Sequence, residues 1–287
     1  MKNFSGPSVR NALTIDVEDY FQVSALAPHF PKDVWDDTPC RVERNVQRIL
    51  EMLHEEGAKA TFFTLGWIAE RYPMLIRLIA AEGHELASHG YGHERASAQT
   101  PEAFLADIKL AKVVLEDIAS CQVSGYRAPS FSIGQSNPWA HACIEEAGYR
   151  YSSSVYPVKH DHYGVPDAPR FPYVVGRGLV EIPISTVRQF GRNWPVGGGG
   201  YFRLLPYFVS SWGIRKVNEA DGKPAIFYFH PWEIDPGQPV VSQASAKTRF
   251  RHYVNLSRTE ARLQRLLGDF AWGRMDEVFL SLAKPIV

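Results

Sequence analysis

Residues 11–19 read NALTIDVED, an apolar and β-branched run that ends in a cluster of carboxylates. The run predicts a first strand at Asn11–Asp16, and similar runs occur at 59–65 (KATFFTL) and 84–88 (HELAS). Each of the two later runs follows a stretch with apolar residues at helical spacing that stops at a glycine. Strands that alternate with helices predict parallel strands with helical crossovers, as in an α/β barrel or a doubly wound sheet.

Further helices and strands are predicted outward from these segments. Thr100-Pro101-Glu102 opens the clearest helix, because threonine caps a helix, proline fits its first position and glutamate suits its first turn. Residues 157–200 are rich in Pro and Gly and predict long loops around a strand at 179–184. The other predicted elements are helices at 41–56, 74–82, 138–147, 204–218 and 259–270 and strands at 125–127, 149–155 and 225–229.

The composition excludes several classes of protein. Of the 287 residues, 45% are hydrophobic and 22% are charged, as in an ordinary globular protein. Basic and acidic residues number 31 each, so no net charge attracts nucleic acid or an anionic membrane. No stretch approaches the ~18 apolar residues of a membrane-spanning helix, and no apolar leader precedes the first strand. An odd count of 3 cysteines fits reduced thiols, so we expect a cytoplasmic protein.

No repeat and no break in composition marks a linker along the chain. One domain is therefore predicted for residues 1–287, with a core at about 11–235 and a C-terminal helical extension at about 236–287. The sequence does not indicate an oligomeric state.

Chemically reactive side chains concentrate where predicted strands end. Asp16 and Glu18 share one face of an extended chain after the first strand, and Asp19 points away. An alternative interpretation of this acidic string is a solvated turn. His89 and His93 follow a later strand, and two histidines four residues apart in a Gly-containing turn can converge on one cation. Two imidazoles with a carboxylate are a common three-ligand catalytic set that leaves a position open for water.

Two further strand ends carry an arginine and a histidine. Arg127 precedes Ala128-Pro129 and can hold a carboxylate bidentately. His230 follows an apolar strand and precedes Pro231, a position that suits general acid or base work near neutral pH. Together with the acidic string and the histidine pair, they predict metal-assisted hydrolysis at the C-terminal face of an α/β barrel.

Across roughly residues 11–235 the chain resembles the polysaccharide deacetylases of carbohydrate esterase family four. The matching segments, in the family's order, are Ala60–Phe63, Ser88-His89 with His93, Arg127-Ala128-Pro129 and the apolar strand before His230. It is more closely similar to the subgroup associated with exosortase-linked exopolysaccharide clusters. The strings that carry this closer likeness are DVEDYF at 16–21, GGGGYFR at 197–203, HPWEIDP at 230–236 and FRHY at 250–253.

The resemblance implies a distorted (β/α) barrel with fewer than eight regular strands and long loops over its C-terminal face. The implied reaction is hydrolysis of the N-acetyl group on a hexosamine of a glycan, in exopolysaccharide biosynthesis. His89, His93 and one carboxylate would hold a divalent metal, Zn²⁺ by default, which polarises the acetyl carbonyl. Arg127 would hold the base, and His230 would protonate the leaving amine. The backbone N–H of Ser130 would help to stabilise the oxyanion.

The sugar contacts that the resemblance implies lie largely in the loop region. The run Gly197–Gly200 would let backbone approach a sugar closely, and Gly199 is counted among the contacts. The aromatic side chains offered for stacking are Trp194, Tyr201 and Trp232. An alternative is a surface loop with core aromatic residues. His160-Asp161-His162 is a second possible ligand cluster, which we interpret as part of a substrate loop.

Two departures from the family pattern bear on individual roles. Most members carry adjacent Asp-Asp in the first motif, where this chain has Asp-Val-Glu-Asp. In one register Asp16 is the base held by Arg127 and Glu18 is the metal ligand; in the other, Glu18 is the base and Asp19 the ligand. We favour the first, because Asp16 ends the apolar run as the base does in peptidoglycan-deacetylase-like relatives. The fourth family motif usually begins Asp-Ser-Ser, and Ser152 stands in the place of its Asp.

Two other functions are compatible with these residues. One is a small-molecule amidohydrolase, because allantoinase-like relatives share the fold and have altered first motifs. The other is a catalytically inactive barrel that only binds sugar. Metal content and acetate release from an N-acetylated oligosaccharide separate these alternatives from the deacetylase.

Overall fold

The protein is described here by a computed structural model that covers residues 9–160 and 163–280. Its helices, in chain order, are α1 (Val42–Glu56), α2 (Gly66–Arg71), α3 (Pro73–Ala81), α4 (Pro101–Ala119), α5 (Ala140–Glu146), α6 (Gly200–Leu204), α7 (Tyr207–Glu219), α8 (Ala246–Tyr253) and α9 (Leu256–Asp269). Its strands are β1 (Arg10–Val17), β2 (Thr61–Thr64), β3 (Glu85–Ser88), β4 (Gly125–Tyr126), β5 (Tyr151–Ser152), β6 (Tyr173–Val175), β7 (Leu179–Glu181), β8 (Thr186–Gln189), β9 (Arg192–Pro195), β10 (Ile226–Phe229) and β11 (Ala271–Gly273).

The main sheet is a largely parallel sheet with helices between its strands. Its strands follow the order β10-β1-β2-β3-β4-β5-β7-β6, and β11 pairs with the start of β1. Neighbours are parallel except for β6 and β7, which form an antiparallel edge. Among the described residues no ladder joins β10 to the β7–β6 edge, so the sheet forms an open, distorted barrel. The predicted α/β class and distorted (β/α) barrel are confirmed.

Alternating residues of β1 face two different apolar clusters. Leu13 and Ile15 pack in the larger cluster, which also contains the buried face of α1. Ala12 belongs to a second cluster, together with Phe63 of β2 and Tyr228 of β10, inside the curve of the sheet. Because side chains alternate along a strand, Thr14 and Asp16 share the inner face with Ala12. The strand therefore directs Asp16 into the barrel at its carboxyl end.

Several element boundaries follow from local chemistry. Gly57 ends α1 in the left-handed conformation, at φ 64°. The Thr100 side chain accepts a hydrogen bond from the Ala103 N–H at the start of α4, as its sequence predicted. The helix predicted near 204–218 is present as α7, but it begins at Tyr207, because Pro206 lies between α6 and α7 and has no N–H to continue the ladder.

The glycine run closes the barrel against β10. The Tyr228 N–H donates to the Gly197 carbonyl at 2.7 Å, and the Gly199 N–H donates to the Tyr228 carbonyl at 2.9 Å. A Cβ on Gly198 would overlap the Tyr228 carbonyl oxygen, and the residue has φ +112°. The run therefore serves close packing of backbone on backbone. The expected contact between Gly199 and a sugar stays a prediction.

The segment after residue 236 contributes to the barrel as well as packing helices against it. It contains the helices α8 and α9 and also the strand β11, which pairs with β1. The Met275 N–H donates to Thr61 Oγ1 at 2.8 Å, and the Asp276 N–H donates to the buried Glu85 carboxylate at 3.1 Å. The segment thus covers the amino ends of β2 and β3 and leaves the opposite end of the barrel for the site.

Candidate active site

Three strand ends bring ionisable side chains to the carboxyl end of the barrel. β1 leads to Asp16 and Glu18, β3 leads to His89, and β10 leads to His230. These side chains line one cavity of about 270 Å³, which we call the central cavity. Since parallel strands end at the same side of a sheet, residues far apart in sequence meet there.

Glu18, His89 and His93 form a cluster with the geometry of a metal site. One ligand atom from each lies within 4.8 Å of the others. Glu18 Oε2 is buried and lies 2.5 Å from His93 Nε2. Burial opposes ionisation of Glu18, but the nearby His93 and His230 outweigh it and hold its pKa well below the ordinary value.

The surroundings of His89 set its tautomer. Its Nδ1 lies 2.8 Å from the Arg127 carbonyl oxygen, which can only accept, so Nδ1 carries the proton and Nε2 keeps its lone pair. Burial lowers the pKa of His89 to about 4, which keeps the ring neutral near pH 7. Metal-bound histidines typically have their second nitrogen held in this way.

The donor set fits a divalent transition metal. It offers two imidazoles and one carboxylate, and beyond the His93 contact the buried Glu18 Oε2 has no partner within residues 9–160 and 163–280. His93 adopts φ 53°, a conformation rare for a residue with a side chain, in the turn that brings it beside His89.

Asp16 is held by a fully buried arginine. Arg127 Nη1 donates to Asp16 Oδ1 at 2.6 Å and to Thr14 Oγ1 at 2.8 Å. The same guanidinium bonds the Ser153 hydroxyl and carbonyl and lies 4.0 Å from the centroid of the Phe63 ring. The other carboxylate oxygen, Oδ2, faces the side of the cavity where His230 lies.

Asp19 lies outside the histidine cluster. Its Oδ1 accepts from the Tyr20 N–H at 2.7 Å, and its Oδ2 accepts from the N–H groups of Arg41 and Val42. The carboxylate thus joins the turn after β1 to the start of α1, and both of its oxygens are occupied by backbone donors. The structure does not bring the predicted ligand Asp19 to His89 or His93.

His230 belongs to a buried chain of charged groups. Its Nδ1 lies 2.6 Å from Glu233 Oε1, while Glu233 Oε2 accepts from Arg203 Nε at 2.6 Å. Its Nε2 points into the cavity, 3.7 Å from Glu18 Oε1 and 3.9 Å from Asp16 Oδ2. Burial alone would lower the pKa of His230, but Glu18 and Glu233 raise it to about 9, so the ring is protonated near pH 7.

The prediction missed Glu233 and Arg203. Burial opposes ionisation of Glu233, but Arg203 and His230 lower its pKa to about 2, so it remains a carboxylate. A signal existed in the sequence, since His230 and Glu233 are three residues apart. Arg203 ends the GGGGYFR string, but nothing local pairs it with Glu233, which is thirty positions away along the chain.

Trp232 lies at the cavity but is only 4% exposed. Its Nε1 donates to Glu18 Oε1 at 3.2 Å, and its ring stacks between His230 and His252. This arrangement positions Glu18 and offers little open face to a sugar. Ser130 also lines the cavity, at φ 55°, with its Oγ 2.7 Å from Ser24 Oγ.

Other predicted substrate residues lie away from the central cavity. Trp194 is on β9 and lines a separate groove, and Tyr201 lines that groove and a cavity beside the central one. Ser152 is fully buried and donates to Ser154 Oγ at 2.8 Å. His160 stacks on the Tyr163 ring, whereas Asp161 and His162 of the second cluster lie outside the described residues.

Two family models match adjacent parts of the chain. A polysaccharide deacetylase family model matches residues 34–152. Residues 153–280 match a domain of unknown function (DUF3473). Among the described residues, no helix combines the length and apolar character needed to cross a membrane.

Curated relatives match this chain over limited segments. A peptidoglycan-N-acetylglucosamine deacetylase of Bacillus cereus is 34% identical over 84 residues, 29% of this chain and 28% of that protein. A chitooligosaccharide deacetylase of Rhizobium leguminosarum is 42% identical over 62 residues, 22% of this chain and 29% of that protein. The chain therefore spans less than a third of the length of these two relatives.

Solved structures match nearly the whole chain. A structure from Mycobacterium smegmatis, described as a polysaccharide deacetylase, has a TM-score of 0.59 and 21% identity, covering 94% of this chain and 89% of that one. An allantoinase structure has a TM-score of 0.58 and 18% identity, covering 96% and 93%. At these identities the likeness shows the fold alone.

Proposed function

We propose that this protein is a metal-dependent hydrolase that removes N-acetyl groups from hexosamine units of a glycan, in the biosynthesis of an exopolysaccharide. The observation that carries the proposal is one cavity lined by the Glu18–His89–His93 cluster, by His230 and by Asp16, whose carboxylate is held by the buried Arg127. Segment matches to deacetylases of peptidoglycan and chitooligosaccharides support an N-acetylated glycan as the substrate.

Glu18, His89 and His93 would hold the metal, Zn²⁺ by default. When bound, a divalent cation supplies Lewis acidity at the acetyl carbonyl and lowers the pKa of a coordinated water toward ~7. The neutral His89 and the ionised Glu18 are already in the protonation states that ligands need.

Asp16 acts as the base. Arg127 occupies its Oδ1, so Oδ2 is the oxygen that takes a proton from the attacking water. The water oxygen bonds to the acetyl carbon, and the backbone N–H of Ser130, at the cavity wall, stabilises the negative charge that develops on the carbonyl oxygen. Arg127 is a positioning residue, because its hydrogen bond to Oδ1 orients the Asp16 carboxylate.

His230 acts as the general acid. Its Nε2 faces Asp16 and Glu18 across the cavity, and Glu233 keeps the ring protonated at its other nitrogen. The C–N bond breaks as His230 gives its Nε2 proton to the leaving nitrogen. Acetate and a free amino sugar are the products, and the proton taken by Asp16 returns to the solvent or to His230.

The test is acetate release from N-acetylglucosamine oligomers by the metal-loaded protein. Asp16→Asn should lose the activity, and Asp19→Asn is the matched control because its carboxylate is outside the cavity. Ring opening of allantoin without acetate release would favour a small-molecule amidohydrolase. Oligosaccharide binding without either reaction would favour an inactive sugar-binding barrel.

A further inference from the structure

A cluster of large apolar side chains lies exposed on one side of the protein. We call it the aromatic patch, and its members, with their exposed fractions, are Phe190 (87%), Phe208 (70%), Trp194 (51%), Leu204 (47%) and Trp212 (42%). Phe190, Trp194, Leu204 and Trp212 line one open groove, and Phe208 lies beside Trp212 on the same helix, α7. Contiguous exposed patches of this kind usually mark an interaction surface.

The tip of the β8–β9 hairpin carries a strained aromatic residue. Gln189 pairs with Arg192, so the turn consists of Phe190 and Gly191 alone, at φ 51° and 73°. A two-residue turn with positive φ at both positions is normally built from Asn, Asp or Gly, because a bulky side chain is strained there. Phe190, the most exposed aromatic residue of the patch, therefore occupies a turn position where Asn, Asp or Gly would be more stable.

Cationic side chains surround the aromatic patch. Arg188 and Arg192 flank the hairpin tip and are exposed, and Arg215 and Lys216 are exposed on α7 beyond Trp212. Four charged residues among the described ones line the groove beside the aromatic patch, and they are Lys159, Asp167, Arg188 and Arg192. Cations therefore outnumber anions there. The whole chain has no net charge, and this local excess is a product of folding.

We propose that the aromatic patch is a membrane-docking surface that binds bilayers containing anionic lipids. Phe and Trp rings that project outward beside Arg and Lys are the combination that inserts into the headgroup region and pairs with anionic headgroups. The charge also argues against a second copy as the occupant, because an isologous contact would place two basic patches against each other. The surface binds lipid whether or not the protein is a deacetylase.

The position of the patch has a consequence for the substrate. The patch groove shares Tyr201 and Leu204 with a neighbouring cavity, and that cavity borders the central cavity at Gly200 and Arg203. Docking would therefore bring the proposed active site close to the bilayer. If the proposed function holds, a glycan carried at the membrane surface is the substrate class that this arrangement serves.

The test is flotation of the whole protein with vesicles of phosphatidylcholine alone and with 30% phosphatidylglycerol. We expect binding to the anionic vesicles and its loss as salt rises. Arg188→Glu with Arg192→Glu should weaken binding roughly 30-fold or more, since each cation near such a surface contributes roughly fivefold and the change also adds two repelling charges. Exposed Arg150→Glu with Arg177→Glu, remote from the patch, makes the same change in net charge and should leave binding unchanged.

Phe190→Asn separates docking from folding. Asparagine suits the turn, so this variant should melt at the same or a higher temperature while vesicle binding falls. Met74→Asn, which removes another exposed apolar side chain on α3, should bind as the parent does. Equal binding by Phe190→Asn and the parent, no binding to anionic vesicles, or a dimer that Phe190→Asn dissociates would each overturn the proposal.

Because vesicle binding needs no turnover, its outcome is independent of the deacetylase assay. Acetate release without vesicle binding would leave the proposed function standing and remove the docking surface. Vesicle binding that depends on Phe190, without acetate release from any N-acetylated oligosaccharide, would do the reverse.

Discussion

Two adjacent carboxylates, Glu18 and Asp19, should respond in opposite ways when each is changed to its amide. Glu18 Oε2 lies 2.5 Å from His93 Nε2 in the proposed metal site. The Asp19 oxygens instead accept backbone hydrogen bonds that hold the turn after β1. Glu18→Gln should therefore lose metal and keep the fold, whereas Asp19→Asn should keep metal and lose stability.

The structure sets the size of both effects. Loss of a group that merely orients a ligand typically costs 10–100-fold in metal affinity, so loss of the ligand charge at Glu18 should cost about 100-fold or more. In the parent, both oxygens of Asp19 accept hydrogen bonds from buried backbone N–H groups. Asparagine keeps one of these acceptor oxygens and replaces the other with an NH₂ group, which cannot accept, so at least one backbone N–H loses its partner. An unsatisfied buried donor costs about 1–3 kcal/mol, which lowers the melting temperature by roughly 2–10 °C.

The assay is Zn²⁺ titration of chelator-treated protein by calorimetry, with thermal melts followed by circular dichroism. The chelated parent should regain about one equivalent of metal and its activity. The His89→Ala variant serves as a reference for a site that has lost a ligand. If Asp19→Asn lost metal and Glu18→Gln kept it, the alternative register would be right, and the assignment of Glu18 as ligand would be refuted.

Three further outcomes are expected. Asp16→Asn should bind metal like the parent but lose about 10²–10⁴-fold in kcat, and near-normal turnover would exclude Asp16 as the base. Glu233→Gln should lower the pKa of His230, because Glu233 helps to raise it, so the alkaline limb of kcat/KM should move to lower pH; an unmoved limb would separate His230 from proton donation. Burial raises the pKa of Glu85, so the folded protein keeps a proton that the unfolded chain releases above about pH 4.5, and stability falls as the pH rises from there toward neutral. In denaturant melts, the free energy of unfolding of Glu85→Gln should rise by at least about 1.4 kcal/mol relative to that of the parent between pH 5 and pH 8, which is the equivalent of one pKa unit. An equal difference between variant and parent at both pH values would contradict this linkage.

The sequence alone determined the features that depend on neighbours along the chain. Backbone preferences of a few consecutive residues explain the N-cap of α4 at Thr100 and the left-handed end of α1 at Gly57. They also explain why successive side chains of β1 face opposite sides of the sheet. The α/β class and the placement of reactive groups at strand ends follow from the same local patterns. The family resemblance added roles for those groups, which remain predictions until the variants are measured.

The tertiary structure decided every feature that joins distant segments. Glu233 is tied to Arg203, and Asp19 to the start of α1, by contacts between residues that are separated by twenty to thirty positions. The glycine run was interpreted as a sugar-binding loop because nothing local shows that it packs on β10. The basic and aromatic surface around Phe190 could not be predicted from a sequence of zero net charge either. The sequence gives the residues that are present, but only folding decides which of them lie on the same surface.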